Sequence, residues 1–334
     1  MIVLLALLIV LMLVALLRAR MNADVYSSAA NDGEISIEYV GEKTTTAERE
    51  TIVEPEAQPK KEVPVVVTNE MNSTNAFLFR PEDGEIVLEI NADERMYPAS
   101  MTKMMTGILA IENLDLSISH VFTYDEISLA FAQDATRAGF TDGETASMED
   151  VLYGAMLPSG AECCYAIAGE VIEQKTGGYQ WDYEAQFVEM MNEKAKELGM
   201  ADTHFTNCTG LQDENHYSTC RDMAILLEYG LKNETFRKVI SSHTWRTAAT
   251  PFHEEGLLLM STMFASIGSS TLDNETSIMG GKTGFTDEAG HCLASYAQTA
   301  DRTEYILVTS GAYSEVNDYT NIRDAKYLFG QLPL

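Results

Sequence analysis

A serine and a lysine lie three residues apart in the apolar stretch PASMTKMMTG, as Ser100 and Lys103. Residues at this spacing on a helix lie on one face, and apolar surroundings lower the pKa of a lysine because they disfavour its charged form. A neutral amine beside a hydroxyl is a general base beside a nucleophile. The spacing alone favours a structural alternative, in which Ser100 caps a helix and the amine of Lys103 reaches solvent.

Two further motifs follow along the chain and favour the catalytic interpretation. In MLPSGA, Pro158 ends one predicted helix and Ser159-Gly160 forms the turn before the next, so Ser159 is presented at a corner between helices. The motif Lys282-Thr283-Gly284 lies in a predicted strand after two glycines. Motifs of the types S-x-x-K, S-x-N and K-T-G, in this order, are the signature of penicillin-binding proteins and class A β-lactamases.

The predicted elements place these motifs on a mixed fold. Residues 76–80 and 86–90 form a predicted hairpin, and a helix that is apolar on nearly every side follows from about residue 100 to 112. Residues 115–235 are mostly helical in this prediction, and strands follow in SIMGGKTGF, HCLASYAQTA and TEYILVTSGA. A last amphipathic helix has apolar residues at every third position: Val316, Tyr319, Ile322, Ala325 and Leu328. The pattern predicts an α+β fold, in which an antiparallel sheet is packed by the first and last helices and carries an inserted helical lobe.

Over about residues 73–331 the chain resembles the low-molecular-mass penicillin-binding proteins that act as serine D-alanyl-D-alanine carboxypeptidases. The resemblance is clearest in NADERMYPASMTKMMTG, MLPSGA, TNCTGLQDENHYST and GGKTGFTDEAGHCLA. It implies the penicillin-binding/β-lactamase-like transpeptidase fold. It also implies an enzyme that removes the terminal D-alanine of peptidoglycan stem peptides and is inhibited covalently by β-lactam antibiotics.

The resemblance assigns catalytic roles to three side chains. Ser100 attacks the peptide carbonyl and becomes acylated, and Lys103 in its neutral form takes the proton of the hydroxyl. Ser159 relays protons towards the leaving amine. This division agrees with the general needs of acyl transfer, which are a nucleophile, a base and donors for the developing oxyanion.

Substrate binding is implied for four consecutive residues of the predicted strand. Lys282 and Thr283 hold the terminal carboxylate of the substrate. Gly284 allows the strand backbone to approach closely. The backbone amide of Phe285 forms the oxyanion hole together with the amide of Ser100.

Two observations leave alternatives open: a class A β-lactamase would share Ser100, Lys103 and Lys282, and the second motif departs from the family's pattern. Ala161 stands where the second motif usually carries an asparagine that contacts the substrate and the base lysine. The protein is therefore predicted to be a carboxypeptidase, with a β-lactamase or a weakened, even silent, binder of wall peptides as alternatives. A class A β-lactamase also needs a glutamate to activate water, and the 201–220 segment has no E-x-x-x-N pattern. With a fluorescent penicillin, fast turnover indicates a lactamase, a stable adduct a carboxypeptidase, and no adduct a silent binder.

The N-terminal part of the chain is predicted to attach the enzyme to a bacterial cell membrane. The first 17 residues are entirely apolar and as a helix would span roughly 26 Å, close to the thickness of a bilayer core. We predict a signal anchor in residues 1–20, an acidic flexible linker in 21–72 and a catalytic domain in 73–334 on the cell-wall side, or a secreted protein if the anchor is cleaved near Ser28. Arg18 and Arg20 follow the apolar run and favour the opposite orientation.

Composition excludes several classes of function. The formal charge of −29, from 22 basic and 51 acidic residues, argues against nucleic-acid binding, which needs clustered cations. No C-x-x-C pair occurs among the five cysteines, so we predict no metal or other cofactor and interpret the cysteines as buried free thiols. A bridge between Cys208 and Cys220 remains open.

Overall fold

A five-stranded antiparallel sheet forms the centre of the computed structural model, which describes residues 63–313 and 319–333. Its strands, in the order β2-β1-β9-β8-β7, are β1 (Asn75–Arg80), β2 (Glu85–Ile90), β7 (Ser277–Thr286), β8 (Gly290–Gln298) and β9 (Glu304–Ala312). Two small sheets pair β3 (Ser119–Val121) with β4 (Thr145–Ser147), and β5 (Thr244–Arg246) with β6 (Leu258–Met260). The predicted hairpin and the three predicted C-terminal strands all lie in the large sheet.

Nine helices are described in these two ranges. They are α1 (Lys103–Asn113), α2 (Tyr124–Ala132), α3 (Met148–Met156), α4 (Ala161–Thr176), α5 (Tyr183–Glu197), α6 (Cys220–Leu231), α7 (Glu234–Ile240), α8 (Thr262–Ile267) and α9 (Thr320–Phe329). A short 3₁₀ turn, Ala99–Thr102, precedes α1. The first eight residues of α1, from Lys103 to Ala110, are buried, as a helix that is apolar on nearly every side requires.

The predicted corner before Ser159 is present. Ser147 caps α3, since its hydroxyl accepts the amide of Asp150 at 3.1 Å. The helix ends at Met156, just before Pro158, and α4 starts at Ala161 with Gly160 as its N-cap residue. This helix is buried at most positions as far as Ile172, so it forms the core of the helical lobe and holds the corner against the sheet domain.

The last helix differs in part from its prediction. Ile322, Ala325 and Leu328 are buried as expected. Tyr319 is 53% exposed, and its backbone angles (φ −124°, ψ 32°) are not helical. The interpretation of Tyr319 as part of the buried face is therefore wrong, because the helix begins one residue later. Val316 lies outside the described residues.

A buried aspartate on α9 binds the chain segment that leads into β1. The carboxylate of Asp324 accepts the backbone amides of Asn72 and Ser73, together with the Asn72 side-chain amide and the Ser73 hydroxyl, at 2.6–3.0 Å. Gln331 bonds to both backbone groups of Val67. These contacts lie at the predicted boundary between linker and catalytic domain, which stays a prediction.

The predicted signal anchor and most of the predicted linker lie outside the described residues. Across residues 63–313 and 319–333, we find no helix with the length and apolar character needed to cross a membrane. All five cysteines are buried and free. The prediction of free thiols is confirmed, and Cys208 and Cys220 are not bridged.

Candidate active site

The turn that carries Ser100 is held in an uncommon backbone conformation. Ala99, the residue before it, has a positive φ of 46°, which costs free energy for any residue with a side chain. Ser100 is partly exposed, whereas Lys103 starts α1 and is only 3% exposed. The Lys103 Nζ donates to Ser100 Oγ at 2.9 Å and to the carbonyl of Thr209 at 2.6 Å.

Burial lowers the pKa of Lys103. Removing an ammonium from water disfavours its charged form, and this effect outweighs the opposing influence of the nearby groups Cys164, Cys208 and Glu162. The thiols are themselves neutral at physiological pH, because burial raises the pKa of Cys164 to about 11 and that of Cys208 further. Lys103 thus combines contact with a hydroxyl and a bias towards its neutral form, the two properties of a general base.

A second serine and a second lysine form a pair across the cleft. Ser159 has a φ of 70° and is 5% exposed, and its Oγ accepts a hydrogen bond from Lys282 Nζ at 2.9 Å. Lys282 is 1% exposed. Its pKa lies well below the ordinary value because it is buried and because the amine of Lys103, when protonated, would repel a second positive charge. Each of the two serine hydroxyls, of Ser100 and Ser159, therefore accepts a hydrogen bond from a different lysine.

Thr283 meets a threonine that sequence reasoning missed. The Thr283 and Thr262 hydroxyl oxygens are 2.6 Å apart, which places the first residue of α8 beside the K-T-G strand. Ser261 caps this short helix by accepting the amide of Phe264. The sequence signal was the Ser-Thr pair before an apolar run, a typical helix start, but it does not reveal the partner strand.

Two glycines bring the chain close to the amide of Ser100 from both sides. A Cβ at Gly284 would lie 3.1 Å from the Ser100 nitrogen, and one at Gly210 only 1.9 Å from the Ala99 carbonyl oxygen. Gly210 also has a φ of 83°. Loop 203–219, which carries it, is organised by Asn207, whose Oδ1 accepts the amides of residues 209, 210 and 211. Asn207 is a second residue that the sequence did not single out.

His216 ties the same loop to the nucleophile turn. Its Nδ1 accepts the amide of Thr206 at 3.0 Å, and its Nε2 lies 2.8 Å from the hydroxyl of Thr102. Burial lowers the pKa of His216 to about 4. The ring is therefore neutral above that pH, and Nε2 carries the hydrogen that is donated to Thr102.

The remaining predicted site residues lie at the edges of this arrangement. Phe285 is 53% exposed at the mouth of the cleft, and its ring leans on His291. Ala161 is buried, and its amide donates to the carbonyl of Thr136. The following side chain, Glu162, accepts the amides of Ala138 and Gly139. The S-x-N position thus offers the substrate a methyl group and no amide.

Ser100, Lys103, Ser159, Lys282 and Thr283 are brought together where β7 meets the helical lobe, since Gly284 of β7 packs against Ser100 and the amine of Lys103 influences the pKa of Lys282. In the described ranges no cluster of His, Cys, Asp and Glu is arranged to hold a metal ion. The arrangement can do covalent acyl transfer: a hydroxyl nucleophile contacts an amine base, and a second hydroxyl bonds to a second buried amine.

A sequence profile of the D-alanyl-D-alanine carboxypeptidases matches residues 60–314. This chain belongs to the D-alanyl-D-alanine carboxypeptidase family. The carboxypeptidase DacF of Bacillus subtilis is 32% identical over 237 residues, which are 70% of this chain and 56% of DacF. The chain thus spans little more than half the length of that curated relative.

Solved structures agree with this family and confirm the predicted fold class. A serine-to-alanine mutant of a Streptomyces DD-transpeptidase is similar with a TM-score of 0.68 and 25% identity, covering 78% of this chain and 97% of that one. A D-alanyl-D-alanine carboxypeptidase from Mycobacterium tuberculosis has a TM-score of 0.65 at 19% identity, covering 83% and 95%. The second likeness supports the fold alone.

The close approach at Gly210 yields a test with a matched control. Gly84 has a similar φ of 70° but nothing within 4 Å of an added Cβ. We expect Gly84→Ala to lower the free energy of unfolding by about 1–2 kcal/mol, the cost of left-handed backbone. Gly210→Ala should cost clearly more, because its added Cβ would also overlap the carbonyl oxygen of Ala99. Denaturant titration of both variants measures the difference, and equal free energies of unfolding would contradict the packing described.

Proposed function

We propose that this protein is a serine D-alanyl-D-alanine carboxypeptidase, which releases the terminal D-alanine of peptidoglycan stem peptides through an acyl-enzyme at Ser100. The observation that carries the proposal is the 2.9 Å hydrogen bond between Lys103 Nζ and Ser100 Oγ, made by a buried lysine with a lowered pKa. Family membership supports the same reaction. No cofactor takes part in it.

Acylation starts with neutral Lys103. Its amine takes the hydroxyl proton while Ser100 Oγ attacks the carbonyl of the penultimate D-alanine. The backbone amides of Ser100 and Phe285 receive the oxyanion, and the close fit of Gly284 against Ser100 places the two chain segments side by side. The C–N bond then breaks, and the leaving amine takes up a proton relayed by Ser159.

Substrate binding is coupled to the charge of Lys282. In the free protein this buried amine has a pKa well below the usual range. A substrate carboxylate bound beside it favours the ammonium form, because an opposite charge raises the pKa of an amine. A charged Lys282 in turn disfavours a charge on Lys103. The terminal carboxylate is held by Lys282, Thr283 and the neighbouring Thr262, and the charged Lys282 offsets the attraction that this carboxylate would exert on a charged Lys103.

Deacylation uses the same residues with water in place of the amine. Lys103 takes a proton from water, the hydroxide attacks the acyl carbonyl, and Ser100 leaves with the proton returned to it. The peptide departs one D-alanine shorter, and β-lactams form an acyl-enzyme at Ser100 by the same first step.

A weakly active enzyme is a second candidate, and the observation in its favour is Ala161. The missing amide removes one or two hydrogen bonds, each of which contributes about 0.5–1.5 kcal/mol and more when a partner is charged. We expect this change to slow acylation without abolishing it.

We also propose that residues 1–20 anchor the protein in a bacterial cell membrane and that the catalytic part lies on the cell-wall side. The apolar run of 17 residues supports the anchor. The position of the proposed substrate in the wall supports the orientation.

The first test identifies the nucleophile. Penicillin should add to Ser100, as found by mass spectrometry of peptides, and D-alanine should be released from diacetyl-L-Lys-D-Ala-D-Ala. Ser100→Ala should abolish both. Ser128→Ala, which removes an exposed hydroxyl that bonds only to a carbonyl in its own helix, should change neither. An adduct on Ser159, or one that survives in Ser100→Ala, would refute the assignment.

The second test concerns the base. D-Alanine release should rise with pH through the pKa of Lys103, which burial lowers from the ordinary lysine value of about 10.4. Lys103→Arg keeps the site charged at all accessible pH values and should lower kcat about 10²–10⁴-fold, the usual contribution of a general base. Lys232→Arg, at an exposed ion pair with Glu228, is the control. A Lys103→Arg enzyme with an unchanged pH profile would exclude Lys103 as the base.

The third test concerns location. Protease added to intact protoplasts should release the catalytic part into the medium. If the protein is digested only after lysis, the catalytic part lies in the cytoplasm, which is the orientation that Arg18 and Arg20 favour.

A further inference from the structure

A groove of about 440 Å³ lies beside the catalytic cleft and contains none of its reactive groups. We call it the outer groove, and its walls include Arg95, Tyr97, Glu214, Tyr217, Glu288 and Tyr313. Three aromatic rings and three charged groups in one concave surface are typical of a site that binds a polar ligand. Neither the family's motifs nor the site residues account for it.

The outer groove is built by the chain segments that also build the cleft. The segment 95–97 runs directly into the Ser100 turn, and loop 203–219 presses Gly210 against Ala99 at its other end. The β7–β8 hairpin contributes Glu288 and Ala289, while its strand β7 carries Gly284 against Ser100. Thr286 of the hairpin donates to Gln212 of the loop at 3.4 Å. The outer groove therefore continues the cleft beyond the point where loop and hairpin meet.

Arg95 is the cation of the outer groove, and it is available to a ligand. Its guanidinium lies 4.0 Å from the ring centroid of Tyr217, a stacking contact that orients the group and leaves its N–H donors at the edge. Among the described residues Arg80, Arg221 and Arg237 bind carboxylates, whereas Arg95 forms no ion pair. Other arginines, such as Arg323, also lack an ion pair in this part of the chain, so what distinguishes Arg95 is its position in the outer groove. In a chain with a charge of −29, an exposed arginine without a carboxylate partner is a candidate anion site.

Two carboxylates face the same space. Glu214 and Glu288 are exposed and form no ion pair in the part of the chain described here. Glu214 lies on loop 203–219, Glu288 on the β7–β8 hairpin and Arg95 on the segment before Ser100, so three separate segments bring charges of both signs to one groove. Such a lining suits a ligand that carries a carboxylate and a free amino group.

We propose that the outer groove binds the part of the stem peptide that precedes the D-Ala-D-Ala terminus, with Arg95 receiving a free carboxylate of the acyl donor. This inference rests on the proposed carboxypeptidase function. In a stem peptide, a diamino acid and a γ-linked glutamate come before the terminal pair, and they supply the amino group and the α-carboxylate. Arg95 is five residues from Ser100, so their Cα atoms lie at most about 17 Å apart. Two further substrate residues and an arginine side chain can span that distance.

The test compares three substrates that share the reacting end. They are diacetyl-L-Lys-D-Ala-D-Ala, the pentapeptide L-Ala-γ-D-Glu-L-Lys-D-Ala-D-Ala, and the same pentapeptide with its glutamate α-carboxylate converted to an amide. The wild-type full chain should show a kcat/KM about three- to tenfold higher for the acidic pentapeptide than for the amidated one, as suits a partly exposed charge-assisted contact. Arg95→Gln should remove this preference and leave the short substrate unaffected.

Two variants serve as controls. Arg95→Lys keeps the charge without the fork of donors and should keep only part of the preference. Arg323→Gln makes the same change of charge at an exposed site on α9, in a different groove, and should keep all of it. The inference about the outer groove would be overturned by equal rates for the two pentapeptides in wild type, or by an Arg95→Gln variant that slows all three substrates alike. In either case, release of D-alanine would still uphold the proposed carboxypeptidase function. Release from none of the three would overturn both.

Discussion

The chemistry of the candidate site depends on the burial of two lysine amines. Lys103 and Lys282 are almost inaccessible to water, and burial lowers the pKa of both amines. A buried charge without a partner is costly, so burial favours the neutral form of both amines. Each amine also bonds to a serine hydroxyl and to a backbone carbonyl, of Thr209 for Lys103 and of Thr283 for Lys282, so the turns that carry these groups must be held in place around them.

The parts of the fold that depend on local sequence could be predicted. The apolar faces of α1, the Pro158 corner and the three long strands follow from periodicity and turn residues near each other in the chain. The exposure of Tyr319 could not, because a three-residue repeat continues through a helix start without marking it. The reacting groups could also be predicted, because each of the three motifs is a short stretch of neighbouring residues and their order along the chain is typical of the family.

Contacts between segments that are distant in the chain could not be predicted from periodicity and short motifs. Thr262 meets Thr283, and Asn207 shapes the loop over Ser100, because separate elements pack together. Neither pairing leaves a sequence pattern. The outer groove is a similar case. In the sequence Arg95 is an ordinary surface arginine, and only the fold places it against the ring of Tyr217 and in one groove with Glu214 and Glu288. Sequence reasoning therefore identified the reacting groups better than the groups that position them or extend the site.

The position of β7 at the edge of the sheet has a consequence for solubility. An edge strand exposes unpaired backbone donors and acceptors, to which another chain can add as a further strand. The first half of β7 is covered, since Gly280 packs against the carbonyl of Ile240 at the end of α7. The half with the K-T-G motif must remain open to admit a peptide. The K-T-G half of β7 is therefore one of the two edges of this sheet at which another chain can add, the other being β2, and a bound substrate would cover it.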